Sequence, residues 1–192
     1  MEITLSVAPT VEPVSVVEAK EHLRVDGGDE DDYIGALITA AREWAETFTR
    51  RQFLQATYIL HLDSFPGQIV LPRPPLISVT TVEYVDTAGT TREFSSANYD
   101  QLKDTLPGRI VLGYGQSWPS TRAHAQAVIV MYKAGYGTAA SDVPMPIRHA
   151  VKMLAAHWFE NREQTIVGIS ISKVPVAAEA LLWPYRVLEV WS

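Results

Sequence analysis

The chain has 192 residues, of which 47% are hydrophobic and 20% charged, a composition typical of a folded globular protein with an ordinary core. It contains no cysteine, which excludes disulfides, thiolate zinc sites and cysteine nucleophiles. The net charge of −6 argues against a broadly basic DNA-binding surface, and the amino terminus lacks a signal-peptide pattern. Because no apolar stretch approaches the ~20 residues of a transmembrane helix, we expect a protein made in the cytoplasm with no membrane partner.

The first block of the sequence, residues 1–52, has the pattern of a helical domain. Ser15-Val16-Val17-Glu18 is a capping box that predicts the start of a short helix. The acidic run at residues 29–32 favours the positive end of a second helix dipole. Apolar residues then recur every three or four positions through Trp44 to Phe48. The block therefore predicts two helices, the longer one with an apolar stripe.

The second block, residues 53–136, changes to the period of β-strands. A turn at residues 86–89 predicts a hairpin. Leu71–Leu76 contains three prolines, which remove amide donors, so it is expected to be an extended edge or crossover segment. We predict strands at Tyr58–Leu62, Val79–Val85, Thr90–Phe94, Gly108–Leu112 and Ala127–Lys133.

The third block, residues 137–184, is helical again. Pro146 suits the first turn of a helix whose apolar stripe includes Trp158, and a last short helix is expected at about Val176–Leu182. Packing the two helical blocks together would bury both stripes, with Trp44 and Trp158 in the core. The sequence therefore predicts an α+β fold, a small bundle of about four helices with a β-rich insertion between the second and third helices.

A separate tail, residues 185–192, follows Pro184 and is rich in apolar and aromatic residues. Such a terminus frays unless something holds it, and exposed side chains of this kind are typical of partner-binding segments. We predict that it binds a partner protein or a neighbouring subunit through Tyr185, Arg186, Val187, Leu188, Val190 and Trp191.

Three patterns suggest chemistry, and each is incomplete. The carboxylates from Asp26 to Asp32 lack the glycine and glutamate that an EF-hand requires at its sixth and twelfth positions. Gly135–Ala140 matches a dinucleotide loop, but prolines interrupt the helix that should start there. His149, His157 and Glu160 share a helix without an evident third metal ligand. The sequence therefore predicts no catalytic, cofactor-binding or metal site.

Several strings of residues, taken in order, resemble the head–tail connector (adaptor) proteins of tailed phages. The similarity extends from about residue 12 to residue 187, essentially the whole chain. The strings are Glu12–Lys20, His22–Asp26, Leu71–Leu76, Gly108–Ile110, Gln116–Pro119, Ala134–Gly137, Val143–Arg148 and His157–Glu163.

The resemblance implies a structural protein without enzymatic activity or cofactors, in the neck of a phage or phage-like particle. It implies a homo-oligomeric ring of about twelve subunits. The ring would lie beneath the capsid portal, extend the DNA channel and provide a docking surface for stopper or tail proteins, with the carboxy-terminal segment reaching toward the portal. DNA would pass without sequence-specific binding, since a net acidic wall repels phosphates.

Other functions stay open at this point. A stopper or tail-completion protein of the same particle would differ only in the neighbour that it binds. A receptor- or carbohydrate-binding β module would need exposed aromatic residues in the β block, and an enzyme would need a titratable pair in a deep pocket. The candidate aromatic residues are Tyr84, Tyr99, Tyr114 and Trp118.

Overall fold

The computed structural model describes residues 1–161 and 175–188, which divide into two compact units. We call Met1–Pro9 with Gln55–Tyr136 the β unit, and Thr10–Leu54 with Gly137–Ser192 the helical unit. The described residues form four α-helices and antiparallel sheets, with most strands between the second and third helices, which confirms the predicted α+β class. The first nine residues belong to the β unit, although the sequence pattern grouped them with the helical residues 1–52.

The β unit contains two antiparallel sheets. The larger sheet has the strand order β1-β2-β8-β4-β5, and the smaller has the order β3-β7-β6. The strands are β1 Glu2–Val7, β2 Ala56–Leu62, β3 Ile69–Leu71, β4 Leu76–Val85, β5 Thr91–Glu93, β6 Tyr99–Leu102, β7 Gly108–Leu112 and β8 Val128–Ala134.

The five predicted strands are all present, and β4 and β5 form the predicted hairpin. Strands β1, β3 and β6 were not predicted. The proline-rich segment at residues 71–76 is a crossover, since it connects β3 in the smaller sheet to β4 in the larger one. The hydroxyl group of the buried Tyr132 donates to the carbonyl of Pro72 at 2.9 Å, and burial raises the pKa of that tyrosine. The crossover is therefore tied to the core of its own unit.

The helical unit contains α1 (Val16–Leu23), α2 (Asp31–Thr49), α3 (Met145–Glu160) and α4 (Val176–Leu182). The predicted capping box is confirmed: the Ser15 hydroxyl oxygen accepts from the Glu18 amide at 3.2 Å, and a Glu18 carboxylate oxygen accepts from the Ser15 amide at 2.9 Å. From the sequence, a polar, glycine-containing loop is also expected near Gly168, and it lies outside the described residues. None of the helices in the described ranges is long and apolar enough to cross a membrane.

The core of the helical unit lies where α2 packs against α3, and α4 adds Ala178 and Leu182. Trp44 and Trp158, which were predicted in this core, are only half-buried. Helix separation depends on the side chains at the contact, and small residues there leave no room for a tryptophan ring. The fully buried positions of α2 and α3 are Ile34, Ile38, Ala41, Ala45, Ile147, Ala150, Val151, Leu154 and Ala155.

These packing positions predict an order of mutational effects. Leu154 is fully buried, so Leu154→Ala should lower the free energy of unfolding by ~2–5 kcal/mol. Trp158→Ala should cost less than the ~3–5 kcal/mol of a fully buried aromatic residue, because part of its ring already contacts water. Urea unfolding of both variants measures the difference. A larger loss for Trp158→Ala would contradict this description of the core.

Candidate interaction surfaces

A buried ion pair organises the middle of the helical unit. Arg42 and Glu46 lie one turn apart on α2, and both side chains are more than nine-tenths buried. A guanidinium nitrogen of Arg42 donates to Glu46 at 2.9 Å. The other carboxylate oxygen of Glu46 accepts from the Gln52 side chain and from the Phe53 amide, each at 2.9 Å. The pair therefore holds the backbone that leaves α2.

The same arginine also holds the segment that enters the helical unit. Nε of Arg42 donates to Glu12 at 2.8 Å, and the hydroxyl group of Thr39 donates to the second Glu12 oxygen at 2.9 Å. Burial by itself would lower the pKa of Arg42, but the hydrogen bond to Glu12 and the neighbouring carboxylates raise it. The guanidinium group is thus a permanent cation among carboxylates, and its role is structural.

Removal of one partner from this pair should be strongly destabilising. Glu46→Ala leaves the Arg42 charge buried beside only part of its counter-charge, for which a loss of ~3–5 kcal/mol is expected. Glu43, one position from Arg42 and mostly exposed, offers a matched control, and Glu43→Ala should change stability by less than about 1 kcal/mol. Thermal and urea unfolding would test this, and equal losses would contradict the assigned role of Glu46.

The carboxy-terminal segment is partly held by its own unit. The amide of Val187 donates to the carbonyl of Thr49 at 2.9 Å, and Nε of Arg51 donates to the carbonyl of Tyr185. Val187 is buried, whereas Leu188 is 74% exposed. Of the six residues predicted to bind a partner, the structure therefore leaves Leu188 available and Val187 occupied. Val190 and Trp191 lie outside the described residues.

A partly exposed aromatic surface includes part of this segment; we call Trp44, Phe48, Trp183 and Arg186 the aromatic–arginine patch. The rings of Trp44 and Phe48 stack with centroids 5.2 Å apart, and the Phe48 and Trp183 centroids are 6.3 Å apart. The guanidinium carbon of Arg186 lies 5.2 Å from the Phe48 centroid and 5.1 Å from that of Trp183. Trp183 is 57% exposed. Sequence reasoning assigned Arg186 to the tail alone and did not connect it with α2.

A groove runs along α1 and the loop that follows it. It encloses about 560 Å³ and is lined by apolar residues such as Val16 and Val17 and by charged ones. Lys20 donates to Asp31 at 2.6 Å and also to the carbonyl of Gly27. One carboxylate of the acidic run is therefore paired with a lysine of the preceding helix. In the described part of the chain, no group of three or more histidine and acidic residues could hold a metal ion.

The two histidines of α3 contact neighbouring side chains of the helical unit. His149 lies against His22 of α1, with ring centroids 5.9 Å apart. Burial lowers the pKa of His22, and the nearby His149 and Lys152 lower it further, while Glu160 acts in the opposite direction. His157 contacts the side chain of Asn161 at the end of its own helix. These contacts link α1 to α3 and cap α3.

The glycine loop at residues 135–140 closes on a carboxylate. The amide of Ala139 donates to Asp142 at 2.9 Å, and a Cβ at Gly137 would collide with the same carboxyl group. An anionic side chain thus lies against the loop, where it would repel a dinucleotide phosphate. The loop serves as a turn between β8 and α3.

The aromatic residues of the β unit pack mainly on one another. Trp118 stacks on Phe65 with centroids 4.6 Å apart and contacts Phe94 at 5.2 Å. Tyr99 is buried, and Tyr84 packs against the same core. Of the four aromatic residues considered for glycan binding, Tyr114 alone is fully exposed. The ring faces that a sugar platform requires are thus mostly used within the fold.

Comparisons with known proteins agree with this architecture. Residues 13–188 match the family model described as "Head completion protein". The neck of an empty gene transfer agent (GTA) particle, computed with C6 symmetry, contains a chain with 25% identity and a TM-score of 0.81; the match covers 99% of this chain and 97% of that one. A chain of the native GTA virion has 23% identity and a TM-score of 0.80. A chain of the native GTA neck computed with C12 symmetry has 24% identity and a TM-score of 0.79. Both matches have the same coverage. Among curated proteins none is significantly similar.

The fold and these matches define a structural protein of the neck that joins head and tail in a phage or phage-like particle. The chain belongs to the head completion protein family.

Proposed function

We propose that the chain is an adaptor subunit that forms a ring beneath the capsid portal, extends the DNA channel and offers a docking surface to stopper or tail proteins. The observation that carries the proposal is the family match over residues 13–188, together with a similar fold over 99% of the chain in a particle neck. The role requires no catalysis, and we propose none.

Two observations support the proposed ring and its channel. The necks that contain the similar chains were computed with C6 and C12 symmetry, and cyclic symmetry joins subunits through heterologous contacts. By this analogy we propose about twelve subunits. The net charge of −6 suits a channel through which DNA slides without being held by its phosphates.

We expect the isolated subunit to be a monomer or a weak oligomer, because ring contacts in an adaptor can form on the portal as a template. Native mass spectrometry of the chain with and without purified portal measures this. A twelve-subunit assembly that appears only with portal agrees with the proposal. A monomer that ignores portal contradicts it, and binding to another neck protein in place of portal would identify a stopper, the nearest alternative.

We propose that the carboxy-terminal segment from Tyr185 onward, including Val190 and Trp191, contacts the portal or a neighbouring subunit. The exposure of Leu188 supports this, because burial of a large exposed apolar side chain against a partner lowers the free energy of the complex. The buried Val187 holds the start of the segment in place and is itself unavailable for docking.

Two truncations separate folding from docking. A chain ending at Leu188 keeps the Val187 anchor and should melt like the full chain but lose incorporation into particles. A chain ending at Pro184 loses the burial of Val187 as well, so its melting temperature should fall, consistent with ~1.5–3 kcal/mol for a buried side chain of this size. Particle incorporation is measured by complementation of a strain that lacks the chain. Normal incorporation of the chain ending at Leu188 would refute docking through residues 189–192.

A further inference from the structure

The aromatic–arginine patch has the composition of a binding site rather than of a core. Trp183 is 57% exposed and Leu188, five residues later, is 74% exposed. Tryptophan and arginine are the residue types that most often dominate binding energy at protein interfaces. A large aromatic surface left in water at the end of a helix is therefore a candidate contact.

Among residues 1–161 and 175–188, Arg186 has no acidic partner. No ion pair or side-chain hydrogen bond of Arg186 occurs among the described residues, and its Nε atom is buried without an acceptor. The rings of Phe48 and Trp183 hold the guanidinium group in a defined position. A planar, positioned guanidinium group is suited to bidentate binding of a carboxylate, and little rotational freedom is lost when it binds.

We propose that this patch binds an acidic, apolar-flanked segment of the portal, with a carboxylate on Arg186 and an apolar side chain against Trp183. The inference rests on the proposed adaptor function and names the chemistry of its portal contact. Charge complementarity supports it: an arginine that lies between aromatic rings, with no acidic partner in the described part of the chain, selects an anion beside an apolar group.

The test uses heads that contain portal, purified from particles that lack the chain, with purified chain added and binding measured by co-sedimentation. Trp183→Ala and Arg186→Gln should each weaken binding about tenfold or more, as expected of interface hot spots. Arg186→Gln should also reduce the salt dependence of binding. Arg186→Lys should restore the affinity only in part, because lysine keeps the charge but not the planar guanidinium group.

Matched controls are available on the β unit. Tyr114→Ala removes a fully exposed aromatic ring, and Lys103→Gln removes an exposed cation; neither should change binding. Melting curves of all variants exclude unfolding as the cause. Unchanged binding for Trp183→Ala and Arg186→Gln would overturn the inference while leaving the adaptor function intact. Failure of the wild-type chain to bind the heads would instead overturn the proposed function.

Two further outcomes would assign the patch to another occupant and thus reject the proposal. One is loss of self-association without loss of head binding in Arg186→Gln, which would indicate a second copy. The other is a chain ending at Leu188 that still binds heads but in which Arg186→Gln no longer has an effect, which would indicate the chain's own end. An effect that persists in the chain ending at Leu188 supports the portal segment.

Discussion

The buried pair of Arg42 and Glu46 is the interaction on which the helical unit depends. It satisfies the backbone that leaves α2 at Phe53 and holds Glu12 on the segment that enters the unit. A buried pair of charges adds little net stability over apolar residues of similar size, but it tolerates few alternative arrangements. Its contribution is therefore to the specificity of the fold, at the place where the chain passes between helical and β sequence.

Close packing of α2 on α3 has a consequence for function. Because alanines occupy much of the contact, the large rings of α2 lie at its margin, where Trp44 and Phe48 are half-buried and stack on each other. Trp183 and Arg186, at the far end of the chain, complete that surface. The same packing that stabilises the monomer thus produces the aromatic–arginine patch.

The residues that first suggested chemistry have other roles in the fold. The glycine loop closes on Asp142, His149 packs on His22, and Asp31 of the acidic run pairs with Lys20. Each group is engaged with a neighbour in its own unit. These polar groups therefore serve the architecture of the protein, and the aromatic–arginine patch is left as a candidate contact surface.

Local patterns in the sequence were enough to predict the four helices, the capping box at Ser15 and the hairpin of β4 and β5, because hydrogen bonds between near neighbours determine them. Strand β1 escaped prediction because its partner β2 lies more than fifty residues away, with Ile3 opposite Leu60. The half-burial of Trp44 and the stacking of Arg186 on Phe48 were likewise not predicted from the sequence. Periodicity shows which face of a helix is apolar, whereas the partner helices decide how much of that face is covered.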